Sequence, residues 1–358
     1  MTTISCHLIR IPTKVRGRVG YLTAALLASF ALANAHALEG TLLVANREDV
    51  AGSVSLFDLP TGKEIARLPI GAGWPHEIAV SPDGRLAMTA EYGLEFPGER
   101  VVIMDIPRAQ ILGYIAMGTG SKPHDSVFLP DNRHAIVTLE TTDRLALVDV
   151  VALRVVRTMP IGTGAREGHM ITLSPDASRI YVGGRLGRGT VSVVYLDGDR
   201  PPVVIPTGLG AEAIAVTPGD EVWVLNQDAN SISIIDPRSL AIKETFAAAT
   251  QPRRLANLPG GRMAVINGNS EVAGIRIYAS ATRAVLDEIA VPGQSVGAGG
   301  FGFLALGSQA FVSTRADGRI LLYDLDKPDD APLEFATGHD TPDGMAWSPL
   351  RVNVLENR

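Results

Sequence analysis

Three histidines stand at matched places in a repeated segment. His76, His124 and His169 each lie six residues before a proline that closes a short apolar run, namely Pro82, Pro130 and Pro175. The same offset from Pro218, Pro259 and Pro349 gives Glu212, Arg253 and Asp343, and in the remaining copy the place falls near Gly299 or Gly300. Neutral imidazole suits Zn, Cu, Fe or Ni. Histidine also changes charge near neutral pH, so the same residues can act as acid or base. A second set closes the next apolar run of each copy: Asn46, Glu91, Glu140, Arg185, Asn226, Asn267 and Arg315. Glu91 and Glu140 can orient imidazoles or act as acids. Arg185, Arg253 and Arg315 can clamp a carboxylate or phosphate.

These residues need a scaffold that brings distant repeats to one place, and the chain supplies one. The turn prolines, with Leu306 filling the place in the degenerate sixth copy, are spaced 48, 45, 43, 41, 47 and 43 residues apart. A unit of about 40–50 residues matches a four-stranded propeller blade. Ser81-Pro82-Asp83-Gly84 and its relatives suit a tight turn, because Pro presets φ while Asp and Gly accept the bend. A third run ends in Asp in most copies (Asp58, Asp105, Asp149, Asp197, Asp236, Asp324), with Ala279 as the exception, and a short β-branched fourth run follows. No segment shows a long helical period, so the expectation is an all-β, seven-bladed β-propeller of four-stranded antiparallel blades. An antiparallel second strand ends where the first begins, so both residue sets should meet at one mouth of the central channel. The chain opens on a second strand, 41–45, and closes on a first strand, so terminal strands should share one blade and remove free edges. Whether 41–45 or 352–355 supplies the paired second strand stays open.

Residues 1–37 read as a secretory signal peptide and 38–358 as the propeller. Arg10, Lys14, Arg16 and Arg18 precede a 14-residue apolar run and two A-x-A sites ending at Ala37. That run falls short of the roughly 20 residues a spanning helix needs, so cleavage, no membrane span thereafter, and a periplasmic or secreted location are expected. Removing that segment leaves 28 Lys+Arg against 38 Asp+Glu, a net of −10, which argues against a nucleic-acid backbone binder. The sole cysteine, Cys6, lies in the signal. Stability must therefore come from burial rather than disulfides, thiolate metal sites are excluded, and any haem would be non-covalent. A monomer is expected.

The stretches 54–91 and 231–246 (SISIIDPRSLAIKETF) resemble the YVTN-type β-propeller repeat family, and the resemblance extends over nearly all of the mature chain. It implies the propeller fold. Relatives include binding propellers, haem-d1-binding propellers and lactonase or cycloisomerase propellers, and fold alone does not choose among them. The resemblance also implies a plainer role for the histidines, as hydrogen-bond partners of a neighbouring blade or a channel water. Three functions follow: a small-molecule or protein ligand bound at the mouth without chemistry, a lactone-opening or isomerising enzyme using mouth His, Glu and Arg, or a divalent-metal or non-covalent haem protein at the histidines. His134 should lie on the opposite face, His339 near the mouth, and the loop 91–99 over it. The tracts 187–189 and 297–302 are glycine loops without the strand–loop–helix order of a phosphate cradle.

Overall fold

The computed structural model describes residues 38–47, 51–71, 73–93, 96–268, 273–292, 302–315, 318–338 and 341–353. Residues 1–37, His339 and Gly299–Gly300 lie outside the described residues. Residues 39–358 form one compact unit of seven four-stranded antiparallel sheets. The only helical turn among the described residues is a 3₁₀ turn, Glu140–Thr142. No described helix is long and apolar enough to cross a membrane.

Blade 1 combines residues 41–71 with the strand Pro342–Ser348. Blades 2 to 7 are 75–116, 123–160, 168–206, 211–247, 252–291 and 303–336. In blade 1 the strand Thr41–Asn46 lies between Pro342–Ser348 and Gly52–Asp58, so the first of the two candidate second strands closes the ring. Residues 351–353 form no strand; Val352 packs into the core between blades 1 and 2, and Asn353 N–H donates to the Pro107 carbonyl.

Burial follows position in the blade. Middle strands are covered on both faces by neighbouring blades and read as apolar throughout, as in Arg100–Asp105 (RVVIMD). Outer strands alternate exposed and half-buried, as in Gln110–Ala116. Buried aliphatic clusters fill each gap between consecutive blades from 1 through 7.

Turn chemistry works as the residue types require. Ser81 Oγ donates to Asp83 Oδ1 at 2.6 Å, and Gly84 takes a φ of +75°. The Asp149 carboxylate accepts from Val151 N–H and Ala152 N–H, capping the turn into the fourth strand. His134 begins the second strand of blade 3, at the far end from Glu140, and pairs with Asp131 at 2.7 Å.

Candidate ligand site at the channel mouth

The residues of the first set are all second in their inner strands. His76 follows Pro75, His124 follows Pro123, His169 follows Gly168, Glu212 follows Ala211, Arg253 follows Pro252 and Asp343 follows Pro342. All six of these strands carry one extra residue there relative to their partner strand. Between the pairs Pro75↔Glu91 and Ile78↔Thr89, for example, two residues oppose one. The same offset occurs beside His124, His169, Glu212, Arg253 and Asp343. Such a bulge bends the strand and re-aims side chains. Its effect shows at blades 2 and 6, where Glu77 and Arg254, the residues after His76 and Arg253, meet inside the channel.

Arg254 forms a bridge across that channel. Its guanidinium donates to Glu212 Oε1 of blade 5 at 3.0 Å and to Glu77 Oε1 of blade 2 at 2.6 Å. Burial works against ionising Glu77, yet Arg254 and then His76 outweigh it and hold its carboxyl below the usual range. Asp125, next to His124, accepts from Ser126 N–H and from Ile171 N–H of blade 4. Burial, then the charge on Glu77, pushes its pKa up to about 7.

Above the bridge lies a cavity of about 140 Å³, lined by Arg47, His76, Tyr92, His124, His169, Arg185, Glu212, Arg253, Arg254 and Arg315. The three imidazoles form its wall in a row, His76 edge-on to His124 and His124 tilted against His169. Ring centroids of His76 and His124 are 4.5 Å apart, and those of His124 and His169 are 3.8 Å apart. Tyr92 packs edge-on against His124 at 5.2 Å, and the Lys122 ammonium lies 4.3 Å over the Tyr92 ring.

The three histidines are not equivalent. His169 Nδ1 is 2.7 Å from Glu140 Oε1, and its Nε2 forms an ion pair with Glu212 Oε2 at 3.2 Å. Burial alone would lower its pKa, but the Glu212 charge and the Glu140 hydrogen bond overcome this and raise it to about 9. His76 Nδ1 lies 2.6 Å from Asp343 Oδ2, and Arg47 contacts both that nitrogen and the Asp343 carboxylate. Burial, then Arg47, lowers the His76 pKa. His124 is fully buried, and neither ring nitrogen has a hydrogen-bond partner. Burial, then the two flanking histidines, holds its pKa well below the usual range.

Seven of the ten sequence candidates line the cavity: His76, His124, His169, Arg185, Glu212, Arg253 and Arg315. Glu140 and Asp343 stand directly behind the imidazoles. Glu140 also takes Lys122 Nζ at 2.9 Å, and Asp343 takes Arg315 and Arg47. Glu91 does not line the cavity. It sits directly opposite Arg100 in the strand register, and that guanidinium holds it through two bonds of 2.8 Å. Arg47, Tyr92, Glu77, Asp125 and Arg254 escaped the sequence reading. Arg47 and Tyr92 each follow the last residue of a second strand, a place one step beyond the compared position. The other three follow a first-set residue, where strict alternation would turn them away from the channel.

No protein-family model and no curated protein matches this chain. Solved structures do match. A functionally unknown protein from Desulfotomaculum acetoxidans superposes with a TM-score of 0.67 at 15% identity, covering 88% of this chain and all of its own. The periplasmic gluconolactonase of Pseudomonas aeruginosa gives 0.67 at 15% identity over 86% of this chain and 99% of its own. The dihydro-heme d1 dehydrogenase NirN gives 0.59 at 17% identity over 86% and 75%. Sheet topology and these likenesses agree on the fold: the chain is a seven-bladed β-propeller.

Proposed function

We propose that this protein is an exported propeller that binds a small carboxylate-bearing ligand at the arginine-lined mouth. Arg253 carries the argument. Its guanidinium bonds the Gly268 carbonyl and the Gln251 side chain, and among the described residues it forms no ion pair. Burial lowers its pKa; Glu212 opposes this, while Arg254, Arg315 and Arg185 crowd it with like charge. A partly buried cation lacking a carboxylate is costly, and a ligand anion supplies one with bidentate geometry. A cavity of 140 Å³ is below the roughly 300–1,000 Å³ of drug-sized sites, so it suits a small acid rather than a macrocycle such as haem. The amino-terminal segment 1–37 and the likeness to a periplasmic gluconolactonase support a periplasmic location.

Calorimetric titration of the metal-stripped protein with small hydroxy acids, phosphate and sulfate tests this reading. Saturable carboxylate binding is expected, weakened at least about 10-fold by Arg253→Gln, as for loss of one charge-assisted hydrogen bond. Absence of saturation by any small anion, or indifference to Arg253→Gln, would overturn it.

A second reading is lactone opening, which forms a carboxylate at the same place. The neutral, unpartnered His124 favours it, since such an imidazole can take a proton from attacking water. Hydrolysis of simple aldonolactones that vanishes in His124→Ala supports this chemistry, and turnover unchanged in that variant removes it.

A further inference from the structure

We propose that His76, Glu77 and His124 form a binding site for a divalent first-row transition metal, zinc foremost. One donor atom from each of these residues lies within 4.8 Å of the other two. Two imidazoles and a carboxylate are the protein donor set of many zinc sites and of the facial triad that binds Fe(II). A tetrahedral ion with bonds of about 2.1 Å needs donors about 3.4 Å apart, so the three must draw together by roughly 1 Å. His76 Nε2 and Glu77 Oε1 are already at 3.8 Å.

Two further features point to a ligand here. His76 Nδ1 lies 2.6 Å from Asp343 Oδ2, so the ring is held by that side and its Nε2 is the nitrogen turned toward Glu77. A carboxylate behind the far ring nitrogen is the usual support of a metal-bound histidine. His124 is fully buried, lines the cavity, and has two ring nitrogens without hydrogen-bond partners. Leaving such buried groups unpaired is costly, and a metal bond gives one of the two nitrogens a partner.

The neighbouring set, His124 with Glu140 and His169, meets the same distance criterion but cannot serve as well. Both His169 nitrogens face carboxylates, at 2.7 and 3.2 Å, so neither is free to ligate. In the favoured set Arg254 holds Glu77 through Oε1, the oxygen that also faces His76 Nε2, so an ion there would share that oxygen with Arg254 or take the other one. The remaining coordination position would open on the cavity, which is how catalytic zinc sites differ from structural ones. The metal site does not depend on the carboxylate reading.

The test titrates the mature protein, stripped with chelator and free of carboxylate buffers, with Zn²⁺ alone by calorimetry, and with Co²⁺ alone by visible absorption. One equivalent of each is expected, with the intense Co²⁺ bands of low coordination number. His124→Ala and Glu77→Gln should each weaken Zn²⁺ binding by at least about 100-fold, the upper range for loss of support at such sites. Glu140→Gln and the surface variant His134→Ala should retain it. Glu77→Gln is nearly isosteric, and its thermal melt verifies the fold independently of metal. Lack of stoichiometric binding, or binding that survives both His124→Ala and Glu77→Gln, or loss in Glu140→Gln equal to that in Glu77→Gln, would overturn the proposal. Anion titration in chelator separates this failure from failure of the carboxylate reading.

Discussion

His169 is wedged between Glu140 and Glu212, and its charge follows from that position. Its pKa in the folded protein, about 9, exceeds the value near 6.5 that an unfolded chain would show. The stability it contributes is therefore complete below about pH 6.5 and is lost as pH rises through 9. Glu140 behaves oppositely: burial resists its ionisation, but His169 and Lys122 bring its pKa down to about 2. Its share is present above the ordinary carboxylate range and lost as pH falls toward 2. The two shifts share the His169–Glu140 hydrogen bond, with Glu212 the larger cause at His169, so that bond contributes fully only between about pH 4.5 and 6.5. Glu140→Gln should flatten the alkaline limb of the stability–pH curve, measured by urea unfolding at steps from pH 6 to 9.5; an unchanged limb would mean that His169 is not held protonated by this pair. Much at this scale was legible from spacing alone, since one offset from the turn prolines found the row of histidines. Partner choice was not legible. Glu91 and Glu140 occupy equivalent places, yet the first meets Arg100 across its own blade and the second meets His169 of the next.

A one-residue bulge near the start of six inner strands turns a simple ring of side chains into a two-level site. The sequence pattern counts alternation, and a bulge breaks alternation at the residues that matter, which is why Glu77 and Arg254 were unreadable. The bulges sit where neighbouring backbones nearly touch. A Cβ on Gly344, the residue after Asp343, would lie 2.1 Å from the His76 carbonyl, so Gly344→Ala must displace one of the two inner strands. At the same depth, Arg254→Met would leave Glu77 and Glu212 buried beside one fewer cation. The cost should be about 3–5 kcal/mol, the range for breaking a buried pair, and is measurable by denaturant titration. A loss below 1 kcal/mol would show that water already compensates these carboxylates. The second-strand asparagines have a different task. Asn46 and Asn226 each donate to a third-strand serine two residues beyond their cross-strand partner, Ser55 and Ser233, at 2.8 Å. Asn226→Ala should lower stability by about 1–2 kcal/mol and leave anion and metal affinity unchanged, as titrations of the folded variant would report.

The ring closes without a covalent staple, since the only cysteine falls in the amino-terminal segment. Closure rests on Pro342–Ser348 pairing with Thr41–Asn46, assisted by Trp347 Nε1 donating to the Glu39 carbonyl. Truncation before residue 342 would expose an unpaired strand of apolar residues and remove Asp343 from beneath His76. That variant should aggregate rather than persist as a six-and-a-half-bladed monomer, which light scattering on the purified product would decide. The fold was readable because seven copies repeat the same punctuation, and an error in one copy leaves the others intact. Blade 1 alone was ambiguous, because its two halves are separated by almost the whole chain.

The Arg254 bridge has a consequence for traffic. It spans the channel between blades 2 and 5, so a ligand moving along the axis would have to part Arg254 from Glu77 or Glu212. The end of the blade where His134 sits, opposite Glu140 on its strand, is then the side on which to tether the protein away from the mouth.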